Sequence, residues 1–202
     1  MRMVMGALNG VRLQNLLVAS VGKCSRATAA VAYATANNTF FEHCLSQDIY
    51  VEYFGLLDED EAVSIPVLER LLEAAPIQCS PRLLKGHFHS KIIWWHGYGV
   101  YIGSANLTNS AWNSNVECGV FYDEDEILGT RIQVDLETQF AYLRKHSGPV
   151  TRQLIDGLKR IRPHQAAVYR ERQKLGDKFA EATKEIPTHV GLARGRQPPD
   201  DV

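Results

Sequence analysis

Residues 87–108 read HFHSKIIWWHGYGVYIGSANLT, a stretch dense in groups that can act on a phosphate ester. In an extended strand alternate side chains share a face, so His87, His89, Lys91, Ile93 and Trp95 point one way, and Phe88, Ser90, Ile92 and Trp94 the other. The i to i+2 spacing brings the His89 imidazole and the Lys91 ammonium within about 7 Å. HGYG then permits a reversal, because its two glycines tolerate turn geometry. The returning VYIGS carries Gly103, which leaves room for close approach to the backbone, and the Ser104 hydroxyl and Asn106 amide project nearby. Lys91 and Asn106 suit the non-bridging oxygens of a phosphodiester, while a histidine attacks phosphorus or protonates the leaving oxygen. A neutral imidazole is the better nucleophile, and a carboxylate on its far nitrogen would hold it so. Glu117, on the strand that follows, is the candidate for that carboxylate. His87 shares the face of His89 and reads as a supporting or surface residue. The remaining histidines have no partner in sequence.

The elements that must position these groups are legible in outline. Leu8 to Val21 has helical spacing, residues 26–35 and 48–57 read as strands, and 64–76 as a helix closed near Pro76. Residues 36–47 read as a loop and a helical turn. Strands are expected over 87–95, 99–104 and 116–122, followed by one long helix over 126–144. Thr108 or Asn109 caps a short helix between the second and third of these. Alternating strands and helices indicate an α/β layered domain. Trp94, Trp95 and Tyr98 read as core or dimer-contact aromatics in preference to base-stacking ones. After Gly148-Pro149 the composition turns basic and helical, ending in a polar, Pro-rich segment with the composition of disorder. Two parts are therefore expected, a catalytic domain over 1–148 and a basic helical extension over 149–202.

His89-Ser90-Lys91 followed by Gly103-Ser104-Ala105-Asn106 resembles the H-x-K-x4-D-x6-G-S-x-N signature of the phospholipase D superfamily, with Glu117 where its single-motif nucleases place a glutamate. Five fixed residues, each used at a few per cent, coincide by chance on the order of once in 10⁶ start points. One position departs, since the Asp of the pattern falls on His96. The resemblance implies a mixed β-sheet flanked by helices and catalysis by His89, Lys91, Ser104, Asn106 and Glu117. It also implies a phosphohistidine intermediate, two histidines per site, and no metal or other cofactor. With one motif per chain, the second histidine is expected from a second copy, in a homodimer with the two motifs facing each other across a two-fold axis.

The motif is common to phospholipases, lipid synthases, nucleases and inactive relatives, so composition has to weigh the substrate. Residues 1–141 hold 9 Lys+Arg against 16 Asp+Glu, and residues 142–202 hold 13 against 7. A basic tail on an otherwise acidic chain favours an anionic partner. The run Lys159, Arg160, Arg162, Arg170, Arg172, Lys174 and Lys178 is able to track a nucleic-acid backbone, although interspersed acids also fit a solvated helix face. No basic amphipathic helix with a clean apolar face is present for a membrane surface, and no apolar stretch is long enough to span one. The expected function is a nuclease acting on DNA or RNA, with a lipid phosphodiesterase and a weakly catalytic nucleic-acid-binding subunit as alternatives. Four scattered cysteines without C-x-x-C spacing fit a reducing cytoplasm. By fold-level analogy, nucleases of this kind serve restriction or defence systems beside a helicase or recognition subunit.

Overall fold

The computed structural model describes residues 1–162 together with 181, 182 and 184. Eight strands form one mixed sheet in the order β1-β7-β6-β5-β2-β3-β4-β8. These are β1 (Arg2–Val4), β2 (Arg26–Val31), β3 (Tyr50–Leu57), β4 (Cys79–Lys85), β5 (Lys91–Trp95), β6 (Gly99–Gly103), β7 (Gly119–Asp123) and β8 (Gly148–Pro149). β2, β3 and β4 run parallel, and the other neighbours are antiparallel. The helices are α1 (Leu13–Ala19), α2 (Phe40–Ser46), α3 (Ile65–Ala74), α4 (Asn109–Asn113), α5 (Glu124–Ile127) and α6 (Arg131–His146), with residues 152–162 also helical.

Strand periodicity divides the side chains between two cores. Ala29, Val51, Tyr53, Ile93 and Trp95 face one side, against Leu16 and Leu17 of α1, Phe40 and Phe41 of α2, and Leu68 and Leu71 of α3. Ala30, Phe54 and Trp94 face the other, against Leu136, Phe140 and Leu143 of α6. The apolar runs of β2 and β3 follow from this, because a central strand covered on both faces has no solvent side. The mixed sheet with helices on both faces is the architecture expected. Trp94, Trp95 and Tyr98 are all buried, so they pack the core.

Three local expectations change, and one strand, β4, was not read from the sequence. The strand expected over 87–95 starts only at Lys91, where pairing with Val31 begins. Gly86 sits at φ +85° and bends the chain, and Phe88 turns inward to the second core, so His87 and His89 precede the strand. The helix expected over 126–144 is two helices, because Gly129 at φ +72° stops the first. Strand β4 carries Pro81, which argues against a strand in sequence. Here it is tolerated beside the two-residue edge strand β8, and its carbonyl accepts from Val150 N. Last, β7 starts at Gly119, leaving Glu117 just outside it.

The change of composition at Gly148-Pro149 coincides with β8, and beyond it Val150 and Ile155 are buried in the first core. Lys159 pairs with Glu69 at 2.5 Å and Arg162 with Glu61 at 3.3 Å. The rest of the basic run, from Arg170 to Lys178, and the Pro-rich end lie outside the described residues.

Candidate active site

The carboxyl end of β2 abuts the start of β5, which in turn lies beside the end of β6, and the carboxyl end of parallel β3 lies at the same end of the sheet. Binding residues in open α/β sheets gather at such ends, because the loops leaving the strands diverge there. The segment before β5 carries no strand pairing at His89, which is exposed, while Lys91 is 7% exposed at the first rung of the strand. Lys91 Nζ lies 2.9 Å from His89 Nδ1, 3.0 Å from Nε2 and 3.1 Å from the His89 carbonyl oxygen. An ammonium only donates, so the ring nitrogen it meets accepts, which suits a neutral imidazole. Burial pulls the Lys91 ammonium below its ordinary pKa range, opposed by the nearby Glu117 carboxylate. The charge is thus partly desolvated, the condition under which it grips a phosphate oxygen most strongly.

The Gly103-Ser104-Ala105-Asn106 turn hangs from β6 and β7. A Cβ at Gly103 would lie 2.2 Å from the Tyr101 hydroxyl, and one at Gly119 2.3 Å from Tyr101 Cε2. The space kept at Gly103 is therefore filled by the Tyr101 ring, which lies along its own strand over both glycines. Its hydroxyl accepts the Ala105 N–H at 3.2 Å and so holds the turn from below. Ser104 Oγ donates to Glu117 Oε2 and accepts the Cys118 N–H at 3.0 Å. Asn115 Nδ2 donates to the other Glu117 oxygen at 3.2 Å. Glu117 is consequently held by Ser104 and Asn115 within its own chain, and His89 is not its partner there. Asn106 Oδ1 is buried without a hydrogen-bond partner. Leaving it so costs on the order of 1–3 kcal/mol.

His89, Lys91, Ser104, Asn106 and Glu117 thus stand on adjoining segments of one ledge. His87 is exposed outside it. Thr108 caps α4, its hydroxyl accepting the Ala111 N–H at 3.2 Å. Three further contributors were not read from sequence. Tyr33 meets the His89 ring edge-on at 5.9 Å, Tyr101 props the turn, and Asn115 holds Glu117. Only Tyr101 left a signal, an aromatic two residues before the glycine. His96, in the position of the pattern's Asp, stacks on Trp94 at 4.4 Å, and its Nε2 lies 2.8 Å from Thr28 Oγ1. It faces the opposite end of β5, away from the ledge. Among the described residues no three His, Cys, Asp or Glu side chains gather as a metal-ligand set.

Residues 55–143 match the family model described as cardiolipin synthase, PLD-like domain. Among solved structures, NucT from Helicobacter pylori superposes with a TM-score of 0.56 at 14% identity, over 73% of this chain and 97% of that one. Nuc from Salmonella typhimurium, a phospholipase D family member, superposes at 0.57 and 14%, over 73% and 95%. Phosphatidylserine synthase from Haemophilus influenzae Rd KW20 superposes at 0.51 and 17%, over 81% of this chain and 45% of that one. No curated protein matches the chain in sequence. The match to the PLD-like model covers less than half of the chain, and the solved structures share its fold.

Proposed function

We propose that the protein is a metal-independent phosphodiesterase that cleaves DNA or RNA at a site shared by two copies of the chain. The observation that carries this is the contact of one exposed imidazole with one buried ammonium, beside the Ser104–Asn106 turn. Lys91 and Asn106 grip the non-bridging oxygens. The neutral His89 attacks phosphorus, forming an N–P bond as the bond to the leaving oxygen breaks. That oxygen must take a proton, and His89 of the second copy supplies it. The same imidazole then removes a proton from water, whose oxygen breaks the N–P bond and frees the first histidine. The exposure of His89 leaves it open to such a counterpart.

The choice of nucleic acid over lipid rests on the surroundings of the ledge. Thr35, Asn37, Asn109, Ser110, Asn113 and Asn115 around it are polar and exposed. Among the exposed large hydrophobics, Val116 alone lies in the 104–118 segment, too little to seat an acyl chain at a membrane interface. No helix among the described residues is long and apolar enough to cross a membrane.

The test incubates the protein with labelled single- and double-stranded DNA, RNA and phosphatidylcholine, all in excess EDTA. Nucleic-acid cleavage is expected to persist in EDTA and to fall on the order of 10³-fold or more in His89→Ala. Abolition by EDTA would overturn the mechanism, and cleavage of the lipid alone would overturn the substrate.

A further inference from the structure

The first strand brings a cation to the rim of the ledge. β1 pairs antiparallel with β7, and its last residue, Val4, stands opposite Gly119, two residues beyond Glu117. The chain therefore turns at the ledge end of the sheet before α1 packs into the first core. Asn9 fixes this turn. Its Oδ1 accepts the Met5 and Val11 N–H groups at 3.3 and 3.0 Å, and its Nδ2 donates to the Met3 carbonyl at 3.0 Å. Gly6, at φ +59°, donates its N–H to the Val11 carbonyl at 3.0 Å. Arg12 follows the closed turn directly, and Leu13 after it is buried, so the backbone is held on both sides of Arg12.

Arg12 and Glu117 line one pocket, together with Tyr101 and with Asn113, Ser114 and Asn115 at the end of α4 and just after it. The pocket holds about 30 Å³, room for groups the size of a water molecule and too little for a base. Arg12 is exposed, and its guanidinium has no ion pair or side-chain hydrogen bond among the described residues. At the ledge itself the Lys91 ammonium is offset by the nearby Glu117 carboxylate. A scissile phosphate thus meets a nearly balanced pair, and the neighbouring phosphates of a polymer need a cation of their own. A free guanidinium donates through a planar fork, which suits the paired non-bridging oxygens of such a group. A neutral base or an acyl chain leaves its charge unmatched.

We propose that Arg12 binds the phosphate next to the scissile one, so that the nucleic-acid backbone leaves the ledge over the turn between β1 and α1. The proposal rests on the nuclease reading and deepens it, because it assigns a contact that a substrate with a single phosphodiester cannot make.

The experiment compares, in EDTA, cleavage of single-stranded DNA and RNA oligonucleotides with that of bis(p-nitrophenyl) phosphate, which has no neighbouring phosphate. Arg12→Gln keeps a polar side chain at an exposed position and removes its charge. It is expected to lower the ratio of the two kcat/KM values about tenfold, the lower end for a hydrogen bond to a charged group. The salt dependence of binding is expected to flatten by about 0.7 in log–log slope, as for one lost single-strand phosphate contact. A scan on the substrate then replaces one phosphate at a time, on either side of a single cleavage position, with a neutral methylphosphonate. In the wild type one flanking position is expected to lose about tenfold. In Arg12→Gln that position loses nothing further, while the others keep their penalties. Equal penalties at every flanking position in the two proteins overturn the contact and leave the nuclease reading intact. So does a fall in oligonucleotide and bis(p-nitrophenyl) phosphate cleavage by the same factor. Hydrolysis of bis(p-nitrophenyl) phosphate with no cleavage of any oligonucleotide overturns the nuclease reading, and this proposal with it.

Discussion

At the scale of single residues, the ledge is organised by what lies beneath it as much as by the groups that meet substrate. Tyr101 couples the two glycines to the Ser104–Asn106 turn, so its hydroxyl and its ring have separable roles. Tyr101→Phe removes only the acceptor for Ala105 N–H. It is expected to lower stability by about 1 kcal/mol and to lower kcat more than that loss alone implies, because the turn is no longer held. Gly119→Ala drives a Cβ into the ring and is expected to cost about 2 kcal/mol or more, as overpacking does. Urea denaturation alongside cleavage kinetics separates the two effects. A Gly119→Ala protein of wild-type stability would show that the ring moves aside freely.

At the scale of elements, β2, β3, β5 and α6 are tied at the end remote from the ledge. Glu52 is 6% exposed and bonds Arg144 at 2.6 and 2.7 Å and Arg26 at 2.8 Å. Burial raises its pKa, but the hydrogen bonds of the two guanidiniums outweigh that and leave it below the usual range. His96 beside this cluster is pushed down to about 4, first by burial and then by Arg26. Both shifts have the same consequence for stability. For each, the unfolded chain binds the proton more readily than the folded one. The stabilisation from His96 is complete above its ordinary 6.5 and disappears as pH falls towards 4. That from Glu52 is lost on acidification through the carboxylate range. Stability should therefore fall as pH drops below 6.5, and His96→Gln should remove on the order of 2 kcal/mol of that dependence, after discounting for solvent screening. A pH profile unchanged in His96→Gln would exclude it as the titrating group.

At the scale of the whole molecule, the proposed chemistry needs two imidazoles and one chain presents one. Sedimentation is expected to give about twice the monomer mass of 22.6 kDa. A mixture of His89→Ala and Lys91→Ala chains is expected to stay well below the wild-type rate, since every composite site lacks a histidine or a lysine. Full activity in that mixture, or an active monomer, would refute the shared site. Truncation after Arg162 spares Val150 and Ile155, which the first core requires. It should weaken nucleic-acid binding and flatten its salt dependence if the cations beyond it contact phosphates. An identical salt slope would remove them from the binding surface.

Much of this protein was decided by local spacing. Alternation along β5 and the glycines of the turn put Lys91 on the face of Ile93 and Trp95, and brought β6 back beside β5. They also set Ser104 and Asn106 at the end of β6, since period and turn chemistry act within a few residues. The apolar and β-branched runs of β2 and β3 likewise announced strands. Other features depended on which segments became neighbours. Glu117 met Ser104 and Asn115 in place of His89, Tyr33 reached His89 across the sheet, and Arg12 came to line a pocket with Glu117. Pro81 was admitted to β4 because the neighbouring edge strand is so short. Such partners lie tens of residues apart in the chain, and their contacts are selected by burial and packing that no local pattern contains.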